Sequence, residues 1–372
     1  MATPPNADAK PAGGVPPMTV MLCTRSRGGM RAVVDAYRCT GLFERRNVCL
    51  LDTHDEGPLR HRLAVAGQAL LRFVPMLLRH EVALLHAHIS MRGSFWRKCL
   101  FIMLARRFKV PVIAHLHGSD FEAFVAEQPA WLRRVVIAQL QRMDRVLVLG
   151  ERWRDYVLSI APAARVQVMP NSVRMPDGEA AHAPRDTVEL LFLGIVGQRK
   201  GVYDLLEAMA LLKLQNPAVR LTVGGNGEVA EAQRAADRLG LADRVTFAGW
   251  VDGAAKQRLL QGSDVYVLPS HNEGLPVSIL EAMSWKLPII STHVGAIAEL
   301  VRHGVDGVIV APGDVAALAA AILRLSQSPA LRQDMGASAR QRVADQFSEA
   351  AVLPRLERCY DDLLRAGTPP AP

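Results

Sequence analysis

Cysteine is scarce in this chain of 372 residues. Its five cysteines, Cys23, Cys39, Cys49, Cys99 and Cys359, are an odd number and include no C-x-x-C pair. That argues against a disulfide framework and a four-cysteine zinc site, and makes a reducing cytoplasm the natural setting. Long apolar runs are missing too. None reaches 18 residues, so nothing in the sequence reads as a bilayer-spanning helix. The stretch before Val20 is rich in Ala and Pro and lacks the apolar core of a signal peptide, so residues 1–17 are expected to be a disordered leader. The turn Arg27–Met30 after the first strand is not a G-x-G-x-x-G fingerprint, which counts against a dinucleotide. There is no short-period repeat, which counts against a solenoid. Gly 28 and Pro 23 are close to ordinary usage, so neither collagen nor wholesale disorder fits.

Half of the residues are apolar, and the length is about twice that of a typical single domain, so two cores are expected. Short β-branched or apolar runs alternate with longer amphipathic segments. Strands are expected at 18–24, 47–52, 82–87, 111–116, 144–149 and 165–169, with helices at 29–40, 60–79, 93–108, 129–142 and 151–160. A polar, Pro- and Gly-bearing break at 174–186 reads as a linker. The alternation then restarts, with strands at 188–193, 219–223, 244–248, 264–268, 288–292 and 307–310. Its helices fall at 201–214, 228–239, 252–262, 277–286, 314–327 and 329–345. The β-α-β-α order is that of a parallel sheet covered on both faces. The fold class is therefore α/β: two doubly wound Rossmann-like domains, 18–173 and 187–348, with a cleft between them. A last amphipathic helix, 349–366, is expected to pack back on the first domain, before a disordered GTPPAP tail. Ligands of such sheets bind beyond the carboxyl ends of the strands, so functional residues should follow strands directly.

The net charge of +8 is unevenly shared. Residues 1–173 carry 24 Lys and Arg against 13 Asp and Glu, whereas residues 174–372 carry 20 against 23. Within 58–110 there are ten basic residues and a single acid, Glu81. Such a face attracts anionic lipid, nucleic acid or a phosphorylated substrate; a run of solvated arginines on helix surfaces is the plainer alternative.

The richest stretch is Ser270–Val294. It leaves the strand DVYVLP, passes through Gly274-Leu275-Pro276 and enters a helix, with Pro276 suited to a first helical turn. Glu273 and Glu281 stand in the spacing E-x7-E, and the free N–H groups at 274–278 can point at phosphate or hydroxyl oxygens. Gly194–Gly201 (GIVGQRKG) puts Arg199 and Lys200 before a helix, where their charge adds to the helix dipole. A diphosphate leaving group needs such cations or a metal to neutralise its developing charge. After the first strand, Gly28 and Gly29 in Arg27–Met30 let a backbone approach a ligand closely. After the strand PVIA comes His115-Leu116-His117-Gly118-Ser119-Asp120, in which Asp120 reads as a helix cap or loop brace. His86-Ala87-His88 is a second H-x-H just past a strand. Alternate strand residues share a face, so these histidines could hold a metal, the basis of a competing metal-dependent hydrolase.

With these motifs the sequence resembles the family 4 retaining glycosyltransferases, enzymes of the two-Rossmann-domain GT-B fold, from Val20 to about Leu364. The resemblance implies that Glu273 contacts hydroxyls of a donor hexose and Glu281 the ribose of its nucleotide. Arg199 and Lys200 would neutralise the leaving diphosphate. His117, matching the family's H-G-x-D segment, would lie beside the transferred sugar. Gly28 and Gly29 would lie near the donor phosphates. Gly225, in the loop Gly224–Glu228, and Val251, in Gly249-Trp250-Val251, would join the donor-binding set with Gly274, Leu275 and Pro276. Pro170-Asn171-Ser172-Val173 resembles the family's P-N-G-V hinge, with Ser in place of Gly.

The expected activity is retaining transfer of a hexose from a UDP- or GDP-linked sugar to an acceptor hydroxyl, with no metal and no other cofactor. The arginine-rich first half points to a lipid-linked saccharide acceptor in polysaccharide assembly, with the protein on the anionic inner face of the cytoplasmic membrane. A nucleotide-sugar epimerase of the same fold is the alternative, followed by the hydrolase and a basic nucleic-acid-binding protein. No RNP-type aromatic motif or recognition helix supports the last, so no nucleic-acid partner is expected.

Overall fold

The computed structural model describes residues 18–367, apart from residues 27, 179–185, 214, 216 and 217. The expected leader, Arg27, most of the linker and the tail beyond Gly367 lie outside the described residues.

Among the described residues twelve strands form two six-stranded sheets, and every strand pairs in parallel with its neighbours. The first contains β1 (Met18–Cys23), β2 (Val48–Asp52), β3 (Val82–Ile89), β4 (Val112–Leu116), β5 (Arg145–Val148) and β6 (Val166–Val168), in the order β2-β1-β3-β4-β5-β6. The second contains β7 (Val188–Leu193), β8 (Val219–Gly224), β9 (Val245–Gly249), β10 (Val265–Leu268), β11 (Ile289–Thr292) and β12 (Gly307–Val310), in the order β12-β11-β10-β7-β8-β9. Each order reverses once, between β1 and β3 in the first sheet and between β7 and β10 in the second. Those two reversals open the crevices in which α/β sheets bind ligands.

All twelve strands lie within two residues of their expected positions, because buried parallel strands are written as near-continuous Val, Ile and Leu runs. The one consequential difference is β3, which continues two residues past its expected end. Its register with β4 holds through His88↔His115 and Ile89↔Leu116. His86 and His88 are therefore inside the sheet, not in a loop after it. The short helices Leu42–Arg45, Phe121–Ala126 and Ile297–Leu300 were not expected; four to six residues are too few to establish a helical period.

Strand alternation divides the core of the first half. Val20 and Leu22 of β1 face Phe73 and Phe101 from the helices Leu59–Leu78 and Gly93–Arg107. Met21 and Cys23 face the other way, onto Val33, Val34 and Tyr37 of the helix Gly29–Cys39. That second face is closed by the end of the chain. The helix Glu349–Gly367 buries Val352, Leu356 and Tyr360 against Met21, Leu84 and Ile113. Arg46 bonds Asp361 at 2.5 Å and Glu357 at 3.3 Å, and Val173 and Ser348 form a parallel bridge where the chain recrosses.

Candidate active site

The loops after β1, β3 to β6 and β7 to β10 meet across one cleft of about 730 Å³. All twelve residues singled out from the sequence line it: Gly28 and Gly29; His117; Arg199 and Lys200; Gly225; Val251; and Glu273, Gly274, Leu275, Pro276 and Glu281. Residues up to 253 positions apart in sequence arrive here because most follow a strand at or beside a reversal point.

The second half contributes the charged wall. Lys200 ends a 3-10 turn, Gln198–Lys200, and its ammonium pairs with the Glu273 carboxylate. Glu273 is only 5% exposed and also accepts from Ser270 Oγ at 2.8 Å. Burial pulls the Lys200 pKa down, an effect the Glu273 carboxylate opposes and the Arg199 guanidinium reinforces. Arg199 donates to the Asn272 carbonyl at 3.3 Å, and its own carbonyl accepts from the His271 N–H at 2.9 Å. These bonds tie the β7 loop to the β10 loop. Gly201, at φ 72°, lets the turn pass beneath Pro269, since a Cβ there would sit 2.0 Å from the Pro269 carbonyl oxygen. Gly225 is equally constrained, for a Cβ would fall 1.7 Å from the Gly194 oxygen. Pro276 caps the helix Val277–Ser284, whose first N–H groups open on the cleft. Glu281, one turn in, pairs with Lys256 at 2.5 Å.

The first half contributes glycine backbone and histidine, beside the Arg31–Asp35 ion pair and Asp120. Gly28 and Gly29 have no atom within 4 Å of where a Cβ would stand, leaving the backbone open to the cleft. His117 is the outermost of four histidines. His86, His88 and His115 are fully buried in β3 and β4, with His86 and His88 stacked at 4.4 Å and His115 and His117 4.2 Å apart. His88 Nδ1 and His117 Nε2 are 2.8 Å apart, and His86 Nδ1 is 2.6 Å from the Tyr360 hydroxyl. Burial holds His86, His88 and His117 well below the usual imidazole range and brings His115 to about 4. All four are thus neutral near pH 7.

His86, His88 and His115 are the one group of three metal-ligating side chains found together among the described residues. Three imidazoles are a known zinc set, but the surroundings here do not suit a divalent ion. Both His86 nitrogens already face partners, Tyr360 and His115, no carboxylate belongs to the group, and the fully buried Lys98 contributes to depressing the His88 pKa. An ion there would be buried without compensating charge.

Lys256 gave no sequence signal of its own, and Asp120 and Asn171 act through partners that the sequence did not indicate. Lys256 partners Glu281 from the helix Gly253–Gly262. Asp120 stands at the N-cap of Phe121–Ala126 but makes no cap bond; it accepts instead from Asn272 across the cleft. Asn171 donates to the Leu275 carbonyl at 2.7 Å, so the P-N-S-V hinge touches the G-L-P loop directly.

Two family models cover this architecture between them. Residues 19–175 match Glycosyltransferase Family 4, and residues 175–342 match Glycosyl transferases group 1. EpsD of Bacillus subtilis is 33% identical over 300 residues, 76% of this chain and 77% of EpsD. The chain belongs to the group 1 glycosyltransferases. Another relative is the glycogen synthase of Mycobacterium tuberculosis, 29% identical over 288 residues, 73% of this chain and 68% of that enzyme. The group 1 glycosyltransferase fold is shared with Anabaena HepE, solved in complex with UDP and glucose, at a TM-score of 0.72 and 18% identity, over 92% of this chain and 99% of that one. This chain has the two-sheet GT-B architecture of glycosyltransferases, with relatives in polysaccharide synthesis.

Away from the cleft, the helices Leu59–Leu78, Gly93–Arg107 and Ala130–Arg142 contain no acidic residue. They expose Leu71 (77%), Trp131 (65%) and Met103 among arginines. No helix among the described residues is long and apolar enough to cross a membrane.

Proposed function

We propose that this glycosyltransferase transfers a hexose from a UDP- or GDP-linked donor to an acceptor hydroxyl with retention of anomeric configuration and without a metal. The observation that carries the reading is the buried Lys200–Glu273 pair at the reversal point of the second sheet, flanked by Arg199 and the open helix N-terminus at Val277. Lys200 and Arg199 stabilise the diphosphate as its charge grows. Glu273 accepts hydrogen bonds from sugar hydroxyls, His117 approaches the sugar from the other wall, and Glu281 holds the ribose. The acceptor oxygen attacks the anomeric carbon on the face the phosphate leaves. The new C–O bond forms as the C–O bond to phosphate breaks, and the acceptor proton passes to the departing phosphate oxygen. Glu273 orients the sugar and forms no glycosyl-enzyme. The acid-free helices of the first half support a lipid-linked acceptor, met at an anionic membrane face where each basic residue contributes roughly 1 kcal/mol.

The test begins with thermal shift against UDP, GDP, ADP and their sugars, since a bound ligand stabilises by mass action. Transfer in excess EDTA from the stabilising donor follows, with the product anomer read by NMR. An α-linked product from an α-linked donor, formed in EDTA, is expected. An inverted product, or activity that EDTA abolishes and Mn²⁺ restores, overturns the mechanism. Conversion of the free nucleotide sugar without any acceptor would favour an epimerase.

A further inference from the structure

We propose that His88 is a positioning residue that holds His117 in its Nδ1-protonated tautomer, so that His117 presents a hydrogen-bond donor to the cleft. The inference rests on the sugar-facing role of His117 proposed above. It starts from one contact, His88 Nδ1 to His117 Nε2 at 2.8 Å, between rings 5.0 Å apart. Both imidazoles are neutral, because burial disfavours their charged forms. Each ring then carries a single N–H, and the shared contact admits two arrangements. Either His88 donates from Nδ1 and His117 Nε2 accepts, or His117 donates from Nε2 and the proton of His88 moves to its own Nε2.

The surroundings of His88 choose between them. Its Nε2 is buried and no hydrogen-bond partner in the protein reaches it. A proton on that nitrogen would be an orphaned buried donor, at a cost of about 1–3 kcal/mol. A bare ring nitrogen there is the lesser penalty, since buried donors are left unpaired less often than acceptors. The proton of His88 therefore sits on Nδ1, pointed at His117. His117 Nε2 is the acceptor, and its proton is on Nδ1, the other polar atom of a ring that lines the cleft. His88 itself is fully buried in β3. It acts through His117 and touches no substrate. A donor, and not an acceptor, at this wall selects a sugar oxygen whose own proton is directed elsewhere.

Two readouts test the proposal on the full chain. The first is ¹⁵N NMR of the imidazole nitrogens, with His117 assigned through a His117→Gln variant, in the absence of any nucleotide. A protonated Nδ1 on His117 is expected, and a protonated Nε2 overturns the assignment. The second compares His88→Asn, whose side-chain amide can donate from about the position of Nδ1, with His88→Leu, which cannot. With both variants folded by circular dichroism, His88→Leu is expected to lose about tenfold in kcat/KM, the scale of one hydrogen bond, and His88→Asn to stay within about threefold of the parent. Equal losses in the two variants, or none in His88→Leu, overturn the positioning role. The NMR result needs no substrate. An Nδ1 tautomer in a chain without transferase activity would support the tautomer and remove the transfer reading alone.

Discussion

The two walls of the cleft are built from one architecture and carry their charge differently. The second half, with slightly more acids than bases, brings formal charges to the cleft in pairs: Lys200 with Glu273, and Lys256 with Glu281. The first half carries a large excess of positive charge, yet keeps most of it on outer helices; beside glycine backbone and a neutral histidine it brings to the cleft Arg31, paired with Asp35, and Asp120. Net charge is therefore a poor guide to where charge acts. A wall that binds a diphosphate needs cations held by carboxylates. In the proposed reaction the sugar meets both walls, at Glu273 and at His117.

The largest effect expected from breaking this contrast is at Lys200. If its charge stabilises the leaving diphosphate, Lys200→Ala lowers kcat by about 10²–10³, or roughly 2.7–4 kcal/mol, while the chain stays folded. Arg199→Lys keeps the charge and loses bidentate geometry, so its loss should be smaller. Steady-state kinetics on variants checked by circular dichroism decide it, and a near-parental kcat for Lys200→Ala removes the clamp.

Glu281→Ala should separate binding from chemistry on the same wall. Contacts to a ribose change little between ground and transition states, so KM for the donor rises about tenfold and kcat holds. A fall in kcat of the same size would mean that Glu281 belongs with the reacting groups.

On the first wall, Lys98 is fully buried and bonded to Ser94 Oγ at 3.1 Å, and burial lowers its pKa to about 7. The unfolded chain binds this proton up to about pH 10.4, so between pH 7 and 10.4 it holds more protons than the folded one. The folded state is penalised in full below pH 7 and relieved as pH rises. Lys98→Met should raise Tm by about 2–4 °C at pH 6.5, about 1 kcal/mol net of the lost Ser94 bond, with the gain shrinking toward pH 10. A gain independent of pH would mean that the lysine is not buried as a charge.

The smallest effect concerns the join between the walls. The helix Glu151–Ile160 begins at Gly150, which has no side chain to cap it. Glu299, from the other half, accepts from the N–H groups of Glu151 and Arg152 at 2.7 and 2.9 Å. Glu299→Ala should cost about 1 kcal/mol, the usual value of a cap, and lower Tm by about 2–4 °C. Glu299→Gln should recover most of it. An unchanged Tm in Glu299→Ala would show that the cap adds nothing to the closed arrangement.

What could be read from the sequence follows a physical divide. Strand runs, glycine loops and E-x7-E are local patterns, and the twelve cleft residues were all found because each sits beside such a pattern. Lys256, Asp120, Asn272 and Glu299 act through partners 25 to 152 positions away, and no spacing rule reaches that far. The histidines fall between the two cases. Their alternation was plain in H-x-H, but which of them meet was decided only by β3, which runs two residues longer than expected and sets His88 against His115 in register.

By itself the sequence determined the α/β class, the duplication into two parallel sheets and the residues that follow each strand, because burial and backbone conformation are encoded within a few neighbours. Only the tertiary structure decided which of those residues face one another, that Lys200 pairs with Glu273, and that the last helix closes the first sheet with Tyr360 on His86. Those outcomes depend on strand order and on chain segments hundreds of residues apart. They are settled by the packing that covers both faces of each sheet and leaves the carboxyl ends of both sheets open to the same cleft.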